Sequence, residues 1–377
     1  MAYSEVNNIA GCSISDVNGV AKDSINSING ITPGTCAAAT RWVAGTNEQY
    51  AGYAAHSDLT SWTFYDRVDD GHPCSYDVAY GKDASGNGIY VMSQSSSTKE
   101  VSVSSTDVTD GNAWTHKNFS GSGDFYMNVA WSNDVWITAG MDGDAFRSTD
   151  GGSSWSKIDL SGVTGYDSNE NIEALAADGA GKWLMGQEDD LFYSDDDGAS
   201  WSRVHSFTNT YAVKGIAYTN NSWVVAYVRT TDSTKTYIRS AASSDLTTWS
   251  SEAGGGTLQN PDVMGNTGGF ERISIAADAS GRIVILPFNR QKIGYADIDG
   301  TNTPANFNVV DLSSTVPSNE DLKDVATDGS TWIACGQDGV LLKSTNSGVS
   351  WSLEAQDIYD ANHDIMCITA DVYLPLT

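Results

Sequence analysis

The chain has 377 residues, and 48 acidic against 20 basic side chains leave a formal net charge of −28. A surface of that sign repels phosphate backbones and anionic bilayers, which excludes nucleic acid as an expected partner. Thirty-seven glycines, 12 tryptophans and 17 tyrosines against 7 prolines describe many short strands joined by turns, in a chain long enough to bury a large core.

Residues 1–34 differ in kind from the rest. The opening Met1-Ala2-Tyr3-Ser4-Glu5 has neither the basic region nor the apolar run of a signal peptide, so cytoplasmic synthesis is expected. Ser13-Ile14-Ser15-Asp16-Val17-Asn18-Gly19-Val20 is echoed by Ser24-Ile25-Asn26-Ser27-Ile28-Asn29-Gly30-Ile31, and a fainter copy starts at Glu5. The offset is eleven residues (6 to 17, 17 to 28). Asn-Gly between Val or Ile is a strong hairpin signal, because both central residues of a type I′ turn take positive φ. The segment reads as a strand-turn arm that cannot bury its own apolar edges and docks on something larger. Val17, Asn18, Gly19, Val20, Ile28, Asn29, Gly30 and Ile31 are its expected contact residues. It resembles the N-terminal repeats of bacteriophage tail and other structural proteins, which carry strings of V/I-N-G-V/I.

Beyond the arm, residues 35–377 carry a repeated turn. Ser148-Thr149-Asp150-Gly151-Gly152-Ser153-Ser154-Trp155 reads S-x-D-x-G-x-x-W. Ser194, Asp196, Gly198 and Trp201 repeat it, and Ser344, Asn346, Gly348 and Trp351 repeat it with Asn for Asp. Shorter versions run from Ser57 and Asp58 to Trp62 and from Ser244 and Asp245 to Trp249, and a looser one from Ser105 through Asp107 to Trp114. In such a turn the carboxylate accepts backbone N–H bonds, Gly supplies positive φ, and Trp supplies a large apolar plate. These turns resemble the Asp box, or bacterial neuraminidase repeat, of sialidases and related propellers. The box is read as a structural staple.

What precedes each turn also recurs. Ile172 to Gly179, Lys182 to Gly186 and Asp190 to Ser194 match Leu322 to Gly329, Thr331 to Gly336 and Val340 to Ser344, and Val129 to Gly140 takes the same course. Each unit reads as strand, turn, strand, turn, strand, box, strand: a four-stranded antiparallel blade. The box tryptophans at 62, 114, 155, 201, 249 and 351 leave one double gap, filled by a boxless blade at Ile273–Asp278, Arg282–Leu286 and Lys292–Ala296. That makes seven blades in an all-β propeller. The first begins at Arg41, which reads as a second strand. Its innermost strand is expected from the C-terminal Asp364–Asp371, in competition with Thr35–Ala39.

Chemistry was sought on this frame. Sialidases bind substrate with three arginines, the first in Arg-Ile-Pro; no Arg-Ile-Pro occurs here, and none of the nine arginines sits in a context that marks a triad. Asp77, Glu173, Glu271 and Asp324 lie near predicted inner strands, yet no catalytic pair stands out among 48 carboxylates. Five histidines and five cysteines show no zinc spacing, and Asp195-Asp196-Asp197-Gly198 belongs to a box rather than a calcium loop. No metal, cofactor or catalytic residue is therefore expected, and no apolar stretch reaches the length of a membrane span. Tyr50, Tyr53 and Tyr126 are candidate stacking residues for a sugar or partner. The expected function is a bacteriophage virion component in a tail, fibre or capsid surface. Its arm docks on other virion proteins, and its propeller binds a host-surface glycan, a receptor or another subunit, a homo-oligomer included. The alternatives are a glycan-active hydrolase of the sialidase-like class and an assembly chaperone, similar to the Asp-box propeller that assists photosystem II.

Overall fold

The computed structural model describes residues 16–17, 20–21, 41–67, 74–95, 98–105, 108–122, 126–207, 211–229, 232–259, 273–287, 292–298, 304–317, 320–358 and 363–372. Of the expected arm contacts, only the backbones of Val17 and Val20 fall in this set. Asp16–Val17 pairs antiparallel with Val20–Ala21 across the Asn-Gly dipeptide. Asn18, Gly19, Ile28, Asn29, Gly30 and Ile31, together with Asp107 and Glu271, lie outside the described residues.

Seven four-stranded antiparallel sheets form the ring of a seven-bladed β-propeller. Blade 1 takes its innermost strand, Ile365–Ala370, from the far end of the chain and its other three, Arg41–Thr46, Tyr50–Ala55 and Asp58–Asp66, from the near end. Blades 2 to 7 follow in order, with innermost strands Cys74–Lys82, Tyr126–Ser132, Ile172–Ala177, Tyr211–Thr219, Ser274–Ala277 and Leu322–Thr327. Blade 6 is the blade without a box. Seams between the two chain ends are closed by Arg41 N–H to Asp371 Oδ1 at 3.1 Å and by a His56–Asp328 side-chain bond joining blades 1 and 7.

Sequence explains the packing. The second strands open on Trp42, Trp136, Trp183, Trp223 and Trp332, all fully buried, and continue as Val, Ile, Leu, Ala and Gly. Strands sandwiched between two neighbouring sheets have no solvent face, so they read as continuous apolar runs rather than alternating ones. Seven apolar clusters result among the described residues, one at each junction between blades. Six hold a tryptophan from the start of the outermost strand or the turn before it: Trp114, Trp155, Trp201, Trp249, Trp351 and Trp62. At the junction of blades 5 and 6, Phe307 and Val309 pack instead. A buried Trp removes about 150–250 Å² from water, or about 4–6 kcal/mol before conformational entropy is subtracted.

The three long turns share one hydrogen-bond pattern. Asp196 Oδ1 accepts from Ser194 Oγ at 2.8 Å and from Ser200 N–H at 2.9 Å, Gly198 N–H donates to Ser194 Oγ at 3.0 Å, and Trp201 Nε1 donates to Gly198 O at 3.0 Å. Asp150 and Asn346 occupy the same place with bonds of 2.8 and 3.0 Å from Ser154 and Ser350 N–H. Gly152, Gly198 and Gly348 have φ of 81°, 75° and 79°, where a Cβ would be strained. The short turns keep the tryptophan bond, Trp62 to Leu59 O and Trp249 to Leu246 O, each at 2.9 Å. Trp114 departs from this: its indole donates to the Tyr65 hydroxyl of blade 1 at 3.0 Å, and Asp110 caps the short 3-10 turn Gly111–Ala113 before it.

Candidate functional site

Each innermost strand turns one edge to the central channel, so its backbone N–H and C=O groups lack a further strand to pair with. The position just before a Val/Leu/Ile-Ala or Ile-Thr step is equivalent in all seven blades and is held by Asp77, Asn128, Ala174, Gly215, Ser274, Asp324 and Cys367 in blades 2 to 7 and 1; the sequence answers with a polar side chain at Asp77, Asn128, Ser274 and Asp324. Four reach across to the next blade, Asn128 by donating from Nδ2 to Ile172 O at 3.4 Å and the other three as acceptors. Asp77 Oδ2 accepts from Val129 N–H at 2.9 Å, Ser274 Oγ accepts from Val325 N–H at 3.0 Å, and Asp324 Oδ2 accepts from Ile368 N–H at 2.9 Å. Ser274 also donates to Asp324 Oδ1 at 2.6 Å, which chains blades 6, 7 and 1 together. The last of these bonds anchors the ring-closing strand.

Six of the seven innermost strands carry a bulge immediately before this position, at Tyr76, Met127, Glu173, Lys214, Lys323 and Met366. A bulge adds a residue and re-aims its side chain. In blades 4 and 5 the two bulged residues meet: Lys214 Nζ lies 2.5 Å from Glu173 Oε2, with both side chains buried. Lys214 lines the strand-start mouth of a cavity of about 270 Å³ together with Asp77, Asn128, Ser274 and Asp324. Toward the opposite end the channel is apolar, a second cavity of about 280 Å³ lined by Val78, Val129, Leu175, Ile216 and Ile275 with Tyr80, Trp131 and Tyr218.

Acids with raised values stand around the mouth. Burial, then the neighbouring Glu173 and Glu170 charges, push Glu188 up to about 6. Glu188 occupies the left-handed turn after Trp183–Gln187, with φ of 46°. Across the same face Glu320 is raised by burial and then by Asp338, Asp364 and Asp321. No group of three or more His, Cys, Asp or Glu among the described residues is arranged to hold a metal ion, and no helix is long and apolar enough to cross a membrane.

The tyrosines singled out from sequence do not converge. Tyr50 starts a strand at the mouth end of blade 1, edge-on to His363 at 5.8 Å. Tyr53 packs into the junction of blades 1 and 2, against Tyr65 and under Arg41. Tyr126 begins the innermost strand of blade 3, and its side chain is outside the described residues. The inner-strand carboxylates Asp77, Glu173 and Asp324 do gather at the mouth. Lys214, Ser274, Asn128 and Glu188 join them there without having been singled out; aligning the seven innermost strands would have placed Asn128 and Ser274 in the column of Asp77 and Asp324, and Lys214 in that of Glu173.

No family model matches the sequence, and no curated protein does. Among solved structures, the chain is similar to an ancestral GH74 enzyme, with a TM-score of 0.54 and 15% identity over 84% of this chain. It spans 46% of that enzyme's chain. YCF48 from Cyanidioschyzon merolae aligns with a TM-score of 0.48 and 18% identity, over 74% of this chain and 84% of its own. At these identities the likeness to the enzyme bears on the propeller fold alone.

Proposed function

We propose that the chain is a bacteriophage virion protein, a tail, fibre or capsid-surface component. Residues 1–34 dock it on other virion proteins, and the propeller offers a face to a host-surface glycan, a receptor or a further subunit. Its place is the virion, after synthesis in the host cytoplasm. The observation that carries binding over catalysis is the use made of the inner carboxylates. Both oxygens of Asp77 accept backbone N–H bonds, both oxygens of Asp324 are bonded, and Glu173 is paired with Lys214. A glycoside hydrolase turns two carboxyl groups toward a cleft; here they join blade to blade. The ring closes on its own C-terminal strand, so no residue before Arg41 is needed to complete a blade. The repeated V/I-N-G-V/I arm supports the docking part of the reading.

Glu188 favours a second reading. A carboxyl that keeps its proton toward neutral pH, near a second carboxylate, is what a general acid requires, and under that reading the mouth cleaves a glycan. Cosedimentation with purified virus particles from the protein's source tests the first reading, comparing the full chain with one starting at Thr35. The full chain should pellet with particles and the shortened one should not. A full chain that stays in the supernatant sinks the virion role.

A further inference from the structure

Three turns of the same geometry allow a residue-by-residue comparison of three blade corners. Where blades 3 and 4 carry Asp150 and Asp196, blade 7 carries the neutral Asn346. The exposed Ser153 and Ala199 become Val349. On the outermost strands, Lys157 and Arg203 become Leu353. Lys157 pairs with Asp144 at 2.5 Å and Arg203 with Asp190 at 3.2 Å, whereas Leu353 has no such use. Val349 and Leu353, 45% and 39% exposed, are the exposed large hydrophobic residues among those described.

The strand that carries Leu353, Ser352–Ala355, is the last of its sheet and pairs only with Leu341–Ser344. An open edge invites another strand, and proteins guard such edges with lysine, arginine or proline. Blades 3 and 4 follow that rule. Blade 7 keeps a bulge and a charge at Glu354 but has no basic residue at the guarding position, where it has gained apolar area. Beside the edge, on the face opposite Leu353, lies a hollow of about 310 Å³ lined by Lys343, Thr345, Ser350, Trp351, Ser352 and Glu354.

We infer that this corner of blade 7 is a self-association surface, and that its partner is the same corner of a second copy. Charge selects the occupant. A basic partner of a chain carrying −28 would be met by carboxylates, but this corner has exchanged its turn carboxylate for an amide. A partner of the same sign, with the same neutral corner, is the one that it does not repel. The geometry is self-complementary. Antiparallel pairing of Ser352–Ala355 with its copy about a two-fold axis brings two Leu353 side chains onto one face of the joined sheet. On the other face it brings two hollows together, each with one Lys343 and one Glu354, so the opposite charges cross the axis. This inference stands apart from the virion reading and does not use the arm.

A single edge pairing gives an interface at the small end of the specific range, so association should depend on concentration. Sedimentation velocity of the full chain from about 1 to about 100 µM is the test, with a V349S/L353K variant beside it. The variant restores the residues that blade 3 tolerates at these positions, and its melting temperature should match the parent. The expected result is a dimer that forms across this range and weakens at least about tenfold in the variant. A parent that stays monomeric throughout overturns the inference, as does a dimer that the variant retains unweakened.

Discussion

At the turn end of the ring, Asp58, Asp245 and Asp196 lie below the ordinary carboxyl range, held first by the hydroxyls of Thr60, Thr247 and Ser200; Asp196 falls to about 2. Burial opposes ionisation at Asp150, but the bonds from Ser154 and Ser148 outweigh it. At the mouth end, Glu188, Asp189 and Glu320 move the other way, raised by burial and then by neighbouring carboxylates. The difference lies in the supply of donors. Asp159, Asp167 and Asp311 sit on the connections at the mouth end and are still held low by the residue two further on: Asp159 and Asp311 by the hydroxyl and then the N–H of Ser161 and Ser313, Asp167 by the N–H and then the side chain of Asn169. A carboxylate in an Asx turn brings its donors with it. At Glu188, Asp189 and Glu320, burial and neighbouring carboxylates outweigh what lowers them.

Single substitutions at the two ends should therefore differ in cost. Glu173→Ala strands Lys214 in a buried position and should lower stability by about 3 kcal/mol, the low end of the range for a broken buried pair. Asp196→Ala removes bonds at an exposed turn and should cost about 1 kcal/mol, comparable to the loss of a helix cap. Urea denaturation midpoints of the two variants decide the matter; equal costs, or the reverse order, would break the contrast.

A smaller effect separates the ends by pH. The folded pKa of Glu188 is raised to about 6, so its contribution is fully present below its unfolded value, near 4.3, and is lost as pH rises through about 6. The turn carboxylates are depressed, so theirs is present above about 4 and lost as pH falls toward 2. Melting temperature should thus be highest near pH 4 to 5 and fall on both sides. Glu188→Gln should flatten the alkaline limb between about pH 4 and pH 6 and leave the acid limb unchanged. A variant with the parent's slope would assign that limb to general repulsion among the excess carboxylates.

Much of the ring could be read from the chain because its signals are local. A Ser, an Asp, a Gly and a Trp within eight residues encode their own turn, and the interval between turns counts the blades. Even the boxless blade 6 is legible as a double interval with apolar strands inside it. The partnerless C-terminal strand and the abrupt start at Arg41 point to each other for the same reason. The site is less legible because it depends on bulges, and a bulge is a relation between two strands. Position marks Asp77, Glu173 and Asp324 as inner-strand carboxylates, but nothing local says that Asp324 will bond Ile368, or that Glu173 will face Lys214 from the next blade. His56 and Asp328 are separated by 272 residues and meet only when the ring closes. Burial alone raises Glu188 before any neighbour acts, so its perturbation leaves no motif.

In the proposed binding role the inner carboxylates hold the ring and perform no chemistry. Asp324→Asn tests it most directly when thermal stability and glycan cleavage are measured on the same preparations. An amide can accept at one oxygen but cannot match both bonds made by Asp324 to Ser274 and Ile368. The account predicts a clear drop in melting temperature and no glycan cleavage by parent or variant. A parent that cleaves a glycan, and a variant that keeps the parent's melting temperature while losing that cleavage, would contradict it.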